Sequence, residues 1–323
     1  MAREDEDLGF DTHYFGDNTC INSDIFAELR DAAKATKKIR IATGVTNTVT
    51  RDASTVATSI AAVQVISGGR AICGIGKGDS AVGLIGRPPQ RHAEFVESMQ
   101  ILRAYLRGES VRRGNVDSRI EWLPRFDYTP VPLEIAATGP RTIRTAAHLA
   151  DRIMLNVGNA PERVRWALAI VDEGLAEAGR SRQDVRIGLA LHVWLDNDPR
   201  AAAEQLCSRL APHAHLASFA GNDLEAQPAI LRRVTTQMRT AYDYRGHFRG
   251  DYKRSDFGNS GIVDAEFAAW FGLAGPASYA IERIHELANS GLDYFFFPPL
   301  TLPERERLAA DVMPALRKLC VNN

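Results

Sequence analysis

The strongest limit on the fold of this chain is a regular alternation of short apolar runs with longer segments of helical pattern. Several of the runs are apolar on successive residues, which is typical of strands that are covered on both faces. Alternating strands and helices indicate an α/β fold with a parallel sheet and crossover helices. The runs that we predict as strands are 11–16, 38–45, 70–75, 133–137, 152–157, 187–195 and 292–297.

Helical patterns lie between these runs, and two segments do not fit the alternation. The segment 108–131 is mixed in character, which predicts an excursion such as a hairpin. The segment 218–275 is long, polar and aromatic, which predicts an insertion over one end of the sheet. The predicted helices are 24–36, 52–66, 89–107, 140–149, 161–179, 199–217, 276–290 and 303–319.

The bulk properties of the chain exclude several classes of protein. Its 323 residues suit one large domain of the barrel type or two smaller ones. A formal net charge of −1 gives no electrostatic argument for binding nucleic acid or an anionic membrane. No apolar run approaches the roughly 18–20 residues that cross a bilayer, and the acidic N-terminus lacks the apolar core of a signal peptide. The scattered cysteines form no CxxC pair, so we expect reduced thiols, no metal cluster and a cytoplasmic protein.

Four of the predicted strands end in glycine and small polar residues. In parallel α/β folds the loops that follow the strands bind ligands, because glycine lets a ligand approach the backbone and the next helix offers N–H groups to an anion. One such end alone is usually only a turn, and neither the G-x-G-x-x-G spacing nor a Walker loop is present. Together the four predict a phosphate-bearing cofactor. They are TGVTN (43–47), GIGKGDS (74–80), AATGP (136–140) and NVGNAPE (156–162).

These segments resemble the luciferase-like monooxygenase superfamily, and most closely its branch of coenzyme F420-dependent oxidoreductases, which includes the methylenetetrahydromethanopterin reductases. The combination of TGVTN, SGGR and GIGxGDS is fairly specific to that branch. The resemblance implies a TIM (β/α)8-type barrel over 1–323, with insertions at about 108–131 and 218–275. The segments that carry it are LGFDTHYFGD (8–17), AAKATKKIRIATGVTNTVTRDAS (32–54), ISGGRAICGIGKGDSAVGLIGRPP (66–89), IAATGPRTIRTAAHLADRIMLNVG (135–158) and GLDYFFF (291–297).

The resemblance also implies roles for particular residues. Asp17 matches an acidic residue beside the cofactor ring, and Asp79 matches a polar residue near it, so both are candidates for catalysis. Relatives often have histidine, a candidate proton donor, where this chain has Asn18. Gly44 and Val45 match a bulge behind the ring that commonly contains a non-proline cis peptide. The residues implied in cofactor binding are Gly44, Val45, Thr46, Asn47, Ser80, Thr138, Gly139, Pro140, Asn156, Val157 and Gly158, of which 138–140 match the phosphate-binding turn.

Three other residues have two interpretations each. Arg51 follows the TGVTN loop and could pair at the surface or cap a helix as readily as contact a ligand. His192 could point into the mouth of the barrel or lie in the core, and His13 could be a buried histidine within a strand or belong to the site.

One departure from the family concerns the start of the chain. Relatives begin with a barrel strand and then a helix that ends in Leu-Gly-Phe, whereas here Leu8-Gly9-Phe10 follows almost at once. We therefore expect that the first barrel strand is missing, which would leave unpaired edges on its neighbours. Either the natural start lies upstream or the barrel is opened.

The sequence thus predicts an oxidoreductase that uses reduced coenzyme F420 to deliver hydride to a C=N, C=C or C=O bond of a small organic substrate. The alternatives are an FMN-dependent monooxygenase of the same superfamily and a cofactor-free barrel that acts as a binding protein. We expect a homodimer without nucleic-acid, membrane or metal partners. The substrate itself is not identified by the sequence, because the loops at the barrel mouth determine it.

Overall fold

The computed structural model describes residues 1–217, 227–242, 244 and 261–321. The chain divides into two compact units. The first unit comprises Met1–Ala136 and His148–Arg152, and the second comprises Ala137–Ala147 and Ile153–Asn323. Each unit contains helices and parallel strands, so the predicted α/β class is confirmed. The interpretation of the whole chain as one barrel domain stays a prediction.

The first unit is built on four parallel strands, β1, β2, β4 and β7, which are neighbours in that order, with the short β3 also pairing with β4. A separate antiparallel hairpin, β5 and β6, confirms the predicted excursion. The strands are β1 (Thr12–Phe15), β2 (Arg40–Thr43), β3 (Thr46–Asn47), β4 (Ala71–Gly76), β5 (Val111–Arg113), β6 (Val116–Ser118) and β7 (Leu133–Ala137). The helices are α1 (Ala2–Leu8), α2 (Ile25–Ala35), α3 (Ala53–Ser67), α4 (Ser80–Gly83), α5 (His92–Leu106) and a 3₁₀ turn at Leu123–Arg125.

Local chemistry explains where the first crossover helices begin and end. The carboxylate of Asp24 accepts hydrogen bonds from the first backbone N–H groups of α2, and Asp52 does the same for α3. The helix α3 ends at Gly68, whose φ of 65° is left-handed and favours glycine. These signals fix the boundaries to within about one residue of the predicted ones.

The middle of the first sheet is packed too closely for any side chain at Gly74. A Cβ atom there would lie 2.0 Å from the backbone oxygen of Thr43, and the Thr43 hydroxyl donates to the oxygen of Gly74 at 2.6 Å. All six residues of β4 are buried, as expected of a strand covered on both faces. The sheet therefore holds the ends of β2 and β4 at a fixed separation.

The second unit contains most of α6 and β8 and the remaining elements. In it β8, β9 and β12 are neighbours in that order, and β10 and β11 form a separate parallel pair. The strands are β8 (Arg152–Leu155), β9 (Arg186–Ala190), β10 (Val193–Leu195), β11 (Leu273–Gly275) and β12 (Tyr294–Phe296). The helices are α6 (Pro140–Leu149), α7 (Pro161–Glu177), a 3₁₀ turn at Arg182–Asp184, α8 (Pro199–Ala217), α9 (Ala229–Ala241), α10 (Ala265–Phe271), α11 (Ala277–Asn289), α12 (Leu302–Asp311) and α13 (Met313–Val321).

The predicted insertion at 218–275 contains structure that the sequence pattern did not indicate. Within its described part, α9 and α10 pack on α8 around the fully buried Phe267. The strand β11 pairs with β10, so this segment contributes a strand as well as helices. The centre of the segment, 245–260, lies outside the described residues.

Two single elements of the prediction are each two elements in the structure. The predicted strand 187–195 breaks after β9, because the chain changes neighbours: the N–H of Leu191 bonds to Phe296, whereas the oxygen of His192 accepts from Leu273. The predicted helix 303–319 is interrupted at Val312. Pro314 has no N–H to continue the helical ladder, so a new helix begins there. The expectation that a first barrel strand is missing is not tested and stays a prediction.

Candidate active site

Polar side chains of the first unit meet where β1 and β2 end. The carboxylate oxygen Oδ2 of Asp17 accepts hydrogen bonds from the Thr46 hydroxyl at 2.6 Å and from the Arg51 guanidinium at 2.5 Å. The Asp17 side chain is only 2% exposed, so its charge is balanced by Arg51 rather than by solvent. Arg51 also stacks over the Phe26 ring, 5.4 Å from its centroid. Arg51 was expected to pair at the surface, cap a helix or contact a ligand, whereas the structure pairs it with the buried carboxylate that was predicted to be catalytic.

A second polar pair joins the ends of β1 and β4. The Nδ2 of Asn18 donates to the Ser80 hydroxyl at 2.8 Å, and Asn18 is buried. Within the described part of the chain, the other amide atom, Oδ1 of Asn18, has no hydrogen-bond partner. Ser80 is the first residue of α4, whose turn is closed by the backbone oxygen of Asp79 rather than by its carboxylate. Asp79, which directly precedes Ser80 in the sequence, is half-buried.

The loop between β2 and β3 has the backbone that the family resemblance predicts. The peptide bond Gly44–Val45 is cis, which confirms that expectation. A Cβ atom at Gly44 would lie 2.8 Å from Cβ of Tyr14, so only glycine fits there. The side-chain oxygen of Asn47 accepts from the N–H groups of Val49 and Thr50 and therefore shapes the turn that follows.

The predicted phosphate-binding residues belong to the second unit. The oxygen of Gly139 accepts the first hydrogen bonds of α6, from the N–H groups of residues 142 and 143, and residues 138–140 are half-buried. At the end of β8 only Asn156 is half-exposed. Gly158 has a φ of 77° and faces Phe271 so closely that a Cβ atom would lie 2.7 Å from that ring.

Two histidines of the second unit, His192 and His213, lie near Asn156. The sequence analysis did not identify His213. The side-chain amide of Asn156 lies 2.9 Å from Nδ1 of His213, and the His213 ring lies 3.9 Å from the His192 ring. Burial, followed by the nearby His213 and Arg209, lowers the pKa of His192 well below its usual value. His213 lies within a helical pattern that gives no signal for a polar site.

A buried charged network lies within the first unit, below the ends of its strands. Arg152 Nε donates to Glu134 Oε2 at 2.8 Å, and the Tyr14 hydroxyl donates to the same oxygen at 3.2 Å. Burial, with the charge of Glu134, raises the pKa of the Cys73 thiol to about 12 and raises that of Tyr14 as well. The sequence signal for this network is a carboxylate inside the otherwise apolar strand LEIAA, and the prediction did not use it.

The described residues contain no group of three or more histidine, cysteine, aspartate or glutamate side chains that could hold a metal ion. None of their helices is both long enough and apolar enough to cross a membrane.

Taken together, the parallel strands and their polar ends define an α/β protein with polar groups at the carboxyl ends of the strands, which is where proteins of this class bind their ligands. Residues 1–294 match the sequence pattern of the luciferase-like monooxygenases, and the chain belongs to that family of oxidoreductase enzymes. The resemblance to the luciferase-like monooxygenases that was inferred from the sequence is therefore confirmed.

Three known proteins illustrate the similarity. A 5,10-methylenetetrahydromethanopterin reductase of Methanolobus tindarius is 31% identical over 298 residues, which are 90% of this chain and 86% of the relative. The solved structure of a coenzyme F420-dependent tetrahydromethanopterin reductase from Methanopyrus kandleri has a TM-score of 0.72 at 24% identity, covering 96% of this chain and 92% of the other. A 3,6-diketocamphane monooxygenase component from Pseudomonas putida, solved with FMN, has a TM-score of 0.65 at 15% identity, covering 97% and 91%. At these identities the two structures show the shared fold alone.

Proposed function

We propose that the protein is a coenzyme F420-dependent oxidoreductase that transfers hydride between the reduced deazaflavin and an electron-poor bond of a small organic substrate. The observation that carries the proposal is the meeting of three segments, 17–18, 44–47 and 79–80, at one edge of the first unit's sheet. These are the segments that resemble the F420 branch, and the relative named a methylenetetrahydromethanopterin reductase supports the same assignment.

The chemistry of this edge fits a flat, polar ring. Asn18 offers a buried acceptor oxygen, and Ser80 offers a hydroxyl beside it. In the second unit, the half-buried turn at Thr138 and Gly139 begins a helix, as an anion-binding turn would. We assign cofactor binding to Gly44, Val45, Thr46, Asn47, Ser80, Thr138, Gly139, Pro140, Asn156, Val157 and Gly158.

The bound deazaflavin would supply the hydride, and the chain's own residues would orient the partners and exclude water. Asp17 is held by Thr46 and Arg51, which fixes the backbone at the end of β1. Asp79 is the half-buried carboxylate to which we assign the acceptance of the proton released in the reaction.

The identity of residue 18 favours one of the three acceptor bonds. Hydride addition to a C=O bond or an activated C=C bond also requires a proton, on the oxyanion or carbanion that forms, whereas addition to a cationic C=N bond gives a neutral amine without one. The carboxamide of Asn18 does not donate a proton in catalysis, because it has no titratable hydrogen at neutral pH. We therefore propose a C=N substrate of iminium type.

A binding comparison tests the cofactor class. Purified protein is titrated with F420 and with FMN, and the quenching of each cofactor's fluorescence is followed. We expect tighter binding of F420 by at least tenfold, which corresponds to about 1.4 kcal/mol. Tight binding of FMN, no binding of F420 and oxygen consumption with reduced FMN would establish the FMN-dependent monooxygenase instead, a candidate supported by membership of the luciferase-like monooxygenase family.

The remaining features of the proposal concern the assembly and the fold as a whole. We propose a (β/α)8-type barrel with insertions and a homodimer in the cytoplasm. Light scattering coupled to size-exclusion chromatography measures the oligomeric state, and elution as a 35.5 kDa monomer would remove the dimer from the proposal.

A further inference from the structure

Asn18 and Ser80 form a pair whose hydrogen-bonding capacity is only half used within the protein. The two residues are 62 positions apart in the chain and follow β1 and β4, the strands on either side of β2. Nδ2 of Asn18 donates to the Ser80 hydroxyl at 2.8 Å. That contact orients the carboxamide, because the nitrogen is bound to a fixed partner.

The Asn18 side-chain oxygen remains as an acceptor and the Ser80 hydroxyl hydrogen remains as a donor. Oδ1 of Asn18 is buried and has no partner among the residues that the structure describes, although buried polar atoms in proteins are generally hydrogen-bonded. The Ser80 oxygen already accepts from Asn18, so its own hydrogen is directed elsewhere. An acceptor oxygen and a donor hydroxyl therefore lie side by side at the strand ends.

The backbone under this pair is fixed on both sides. The backbone carbonyl oxygen of Asn18 accepts hydrogen bonds from the backbone N–H groups of Ile21 and Asn22, at 2.9 and 2.8 Å. The neighbouring Asp17 is bonded to Thr46 and paired with Arg51. A ligand that meets Asn18 thus contacts a preorganised group, which reduces the entropy lost on binding.

We propose that Asn18 and Ser80 recognise the lactam edge of a ligand, that is, an N–H group adjacent to a C=O group. The ligand N–H would donate to Oδ1 of Asn18, and the ligand C=O would accept from the Ser80 hydroxyl. The inference rests on the proposed function, because the pyrimidinedione ring of a deazaflavin has such an edge and a pterin-like substrate has one as well. Both sources share the same chemistry, and the experiment distinguishes them.

The test compares ligands that differ only in the N–H group. The cofactor arm uses 5-deazariboflavin 5′-phosphate and its N3-methyl derivative, and the substrate arm uses pterin and 3-methylpterin. Dissociation constants are measured by fluorescence for the wild-type protein and for Asn18→Leu, Ser80→Ala and the control Ser23→Ala. The control removes an exposed hydroxyl that bonds to Glu28 in a neighbouring turn. Circular dichroism verifies that each variant is folded.

For one ligand pair, the wild-type protein should bind the N–H form about tenfold more tightly than the N-methyl form. A tenfold ratio of dissociation constants corresponds to about 1.4 kcal/mol, which is the free energy of one buried hydrogen bond. Asn18→Leu should abolish that preference. Ser80→Ala should weaken the binding of both ligands of the pair by a similar factor, while part of the preference for the N–H form remains. Ser23→Ala should change neither the affinities nor the preference. A merely structural role of Asn18 would lower the affinity for both members equally and leave their ratio unchanged.

Each outcome has a defined meaning. A preference within the deazaflavin pair assigns the lactam edge to the cofactor, and a preference within the pterin pair assigns it to the substrate. If the wild-type protein binds the deazaflavin probe but shows no preference in either pair, the inference is wrong and the proposed function stands. If neither deazaflavin probe binds and no pterin preference appears, both are wrong. A preference that survives in Asn18→Leu also overturns the inference.

Discussion

Replacing Arg152 by methionine should destabilise the first unit more than the loss of any ordinary surface ion pair. Arg152 and Glu134 lie 2.8 Å apart, and their side chains are 6% and 0% exposed. Methionine keeps much of the length of the arginine side chain but removes the positive charge, so the Glu134 carboxylate stays buried without that counter-charge. Breaking a buried pair in this way costs about 3–5 kcal/mol.

This cost is a large share of the total, because the free energy of unfolding of a typical protein is only about 5–15 kcal/mol. The measurement is urea unfolding followed by circular dichroism, with Arg112→Met as the matched control. Arg112 pairs with Asp117 at 2.6 Å in the same unit, but the two side chains are 64% and 56% exposed. Loss of an exposed pair of this kind costs about 0–1 kcal/mol.

A double variant separates charge burial from lost packing. Glu134→Leu combined with Arg152→Met removes both charges, and it should recover most of the stability that Arg152→Met alone loses. The argument is refuted if Arg152→Met and Arg112→Met lose the same free energy, or if the double variant is no more stable than Arg152→Met.

Three other predictions follow from particular contacts. Hydrogen bonds from the backbone N–H groups of residues 39, 38 and 37 lower the pKa of Glu6 to about 2. The difference in unfolding free energy between wild type and Glu6→Gln should therefore be constant above about pH 5 and should shrink as the pH falls from 4.5 toward 2. Acid-unfolding curves measure this difference, and one that does not change with pH contradicts the prediction. Gly139 is not among the glycines with positive φ, so Gly139→Val should fold normally and weaken F420 binding. Gly158→Val should instead lower the thermal stability, because the new side chain would collide with the Phe271 ring. Unchanged F420 affinity of Gly139→Val would remove this turn from the site. Iodoacetamide at pH 8 should alkylate the exposed Cys20 and spare the buried Cys73, whose pKa is raised to about 12 by burial, and mass spectrometry of peptides should detect modified Cys73 only after denaturation.

The parts of the fold that could be predicted from the sequence are those set by local pattern. The strand 133–137 and the helices 140–149 and 199–217 agree with the structure residue for residue, because their apolar periodicity and their flanking turn residues are short-range signals. The helices α9 and α10 were missed because the segment 218–275 was interpreted as one insertion, although Leu231, Val234 and Met238 of α9 have helical spacing. Their stability comes from packing against α8 around Phe267.

The sequence also indicated which strand ends carry polar residues, but it could not indicate their partners. Asp17 was recognised as a candidate site residue, whereas its pairing with Arg51 was not among the interpretations that the sequence offered. The contact of Asn18 with Ser80 had no signal at all. Such contacts join residues far apart in the chain, so no local pattern contains them.

By itself, therefore, the sequence determined the α/β class, most element boundaries, the glycine-rich strand ends and the family. These depend on backbone propensities, on the periodicity of apolar residues and on motifs of a few residues, all of which are present in the unfolded chain. The tertiary structure alone decided that Asp17 is balanced by Arg51, that Asn18 is oriented by Ser80, and that a buried ion pair lies among the strands of the first unit. Each of these is decided by which side chains parallel pairing brings together, and by the low polarity of the interior, which makes a buried charge or amide depend on its neighbours.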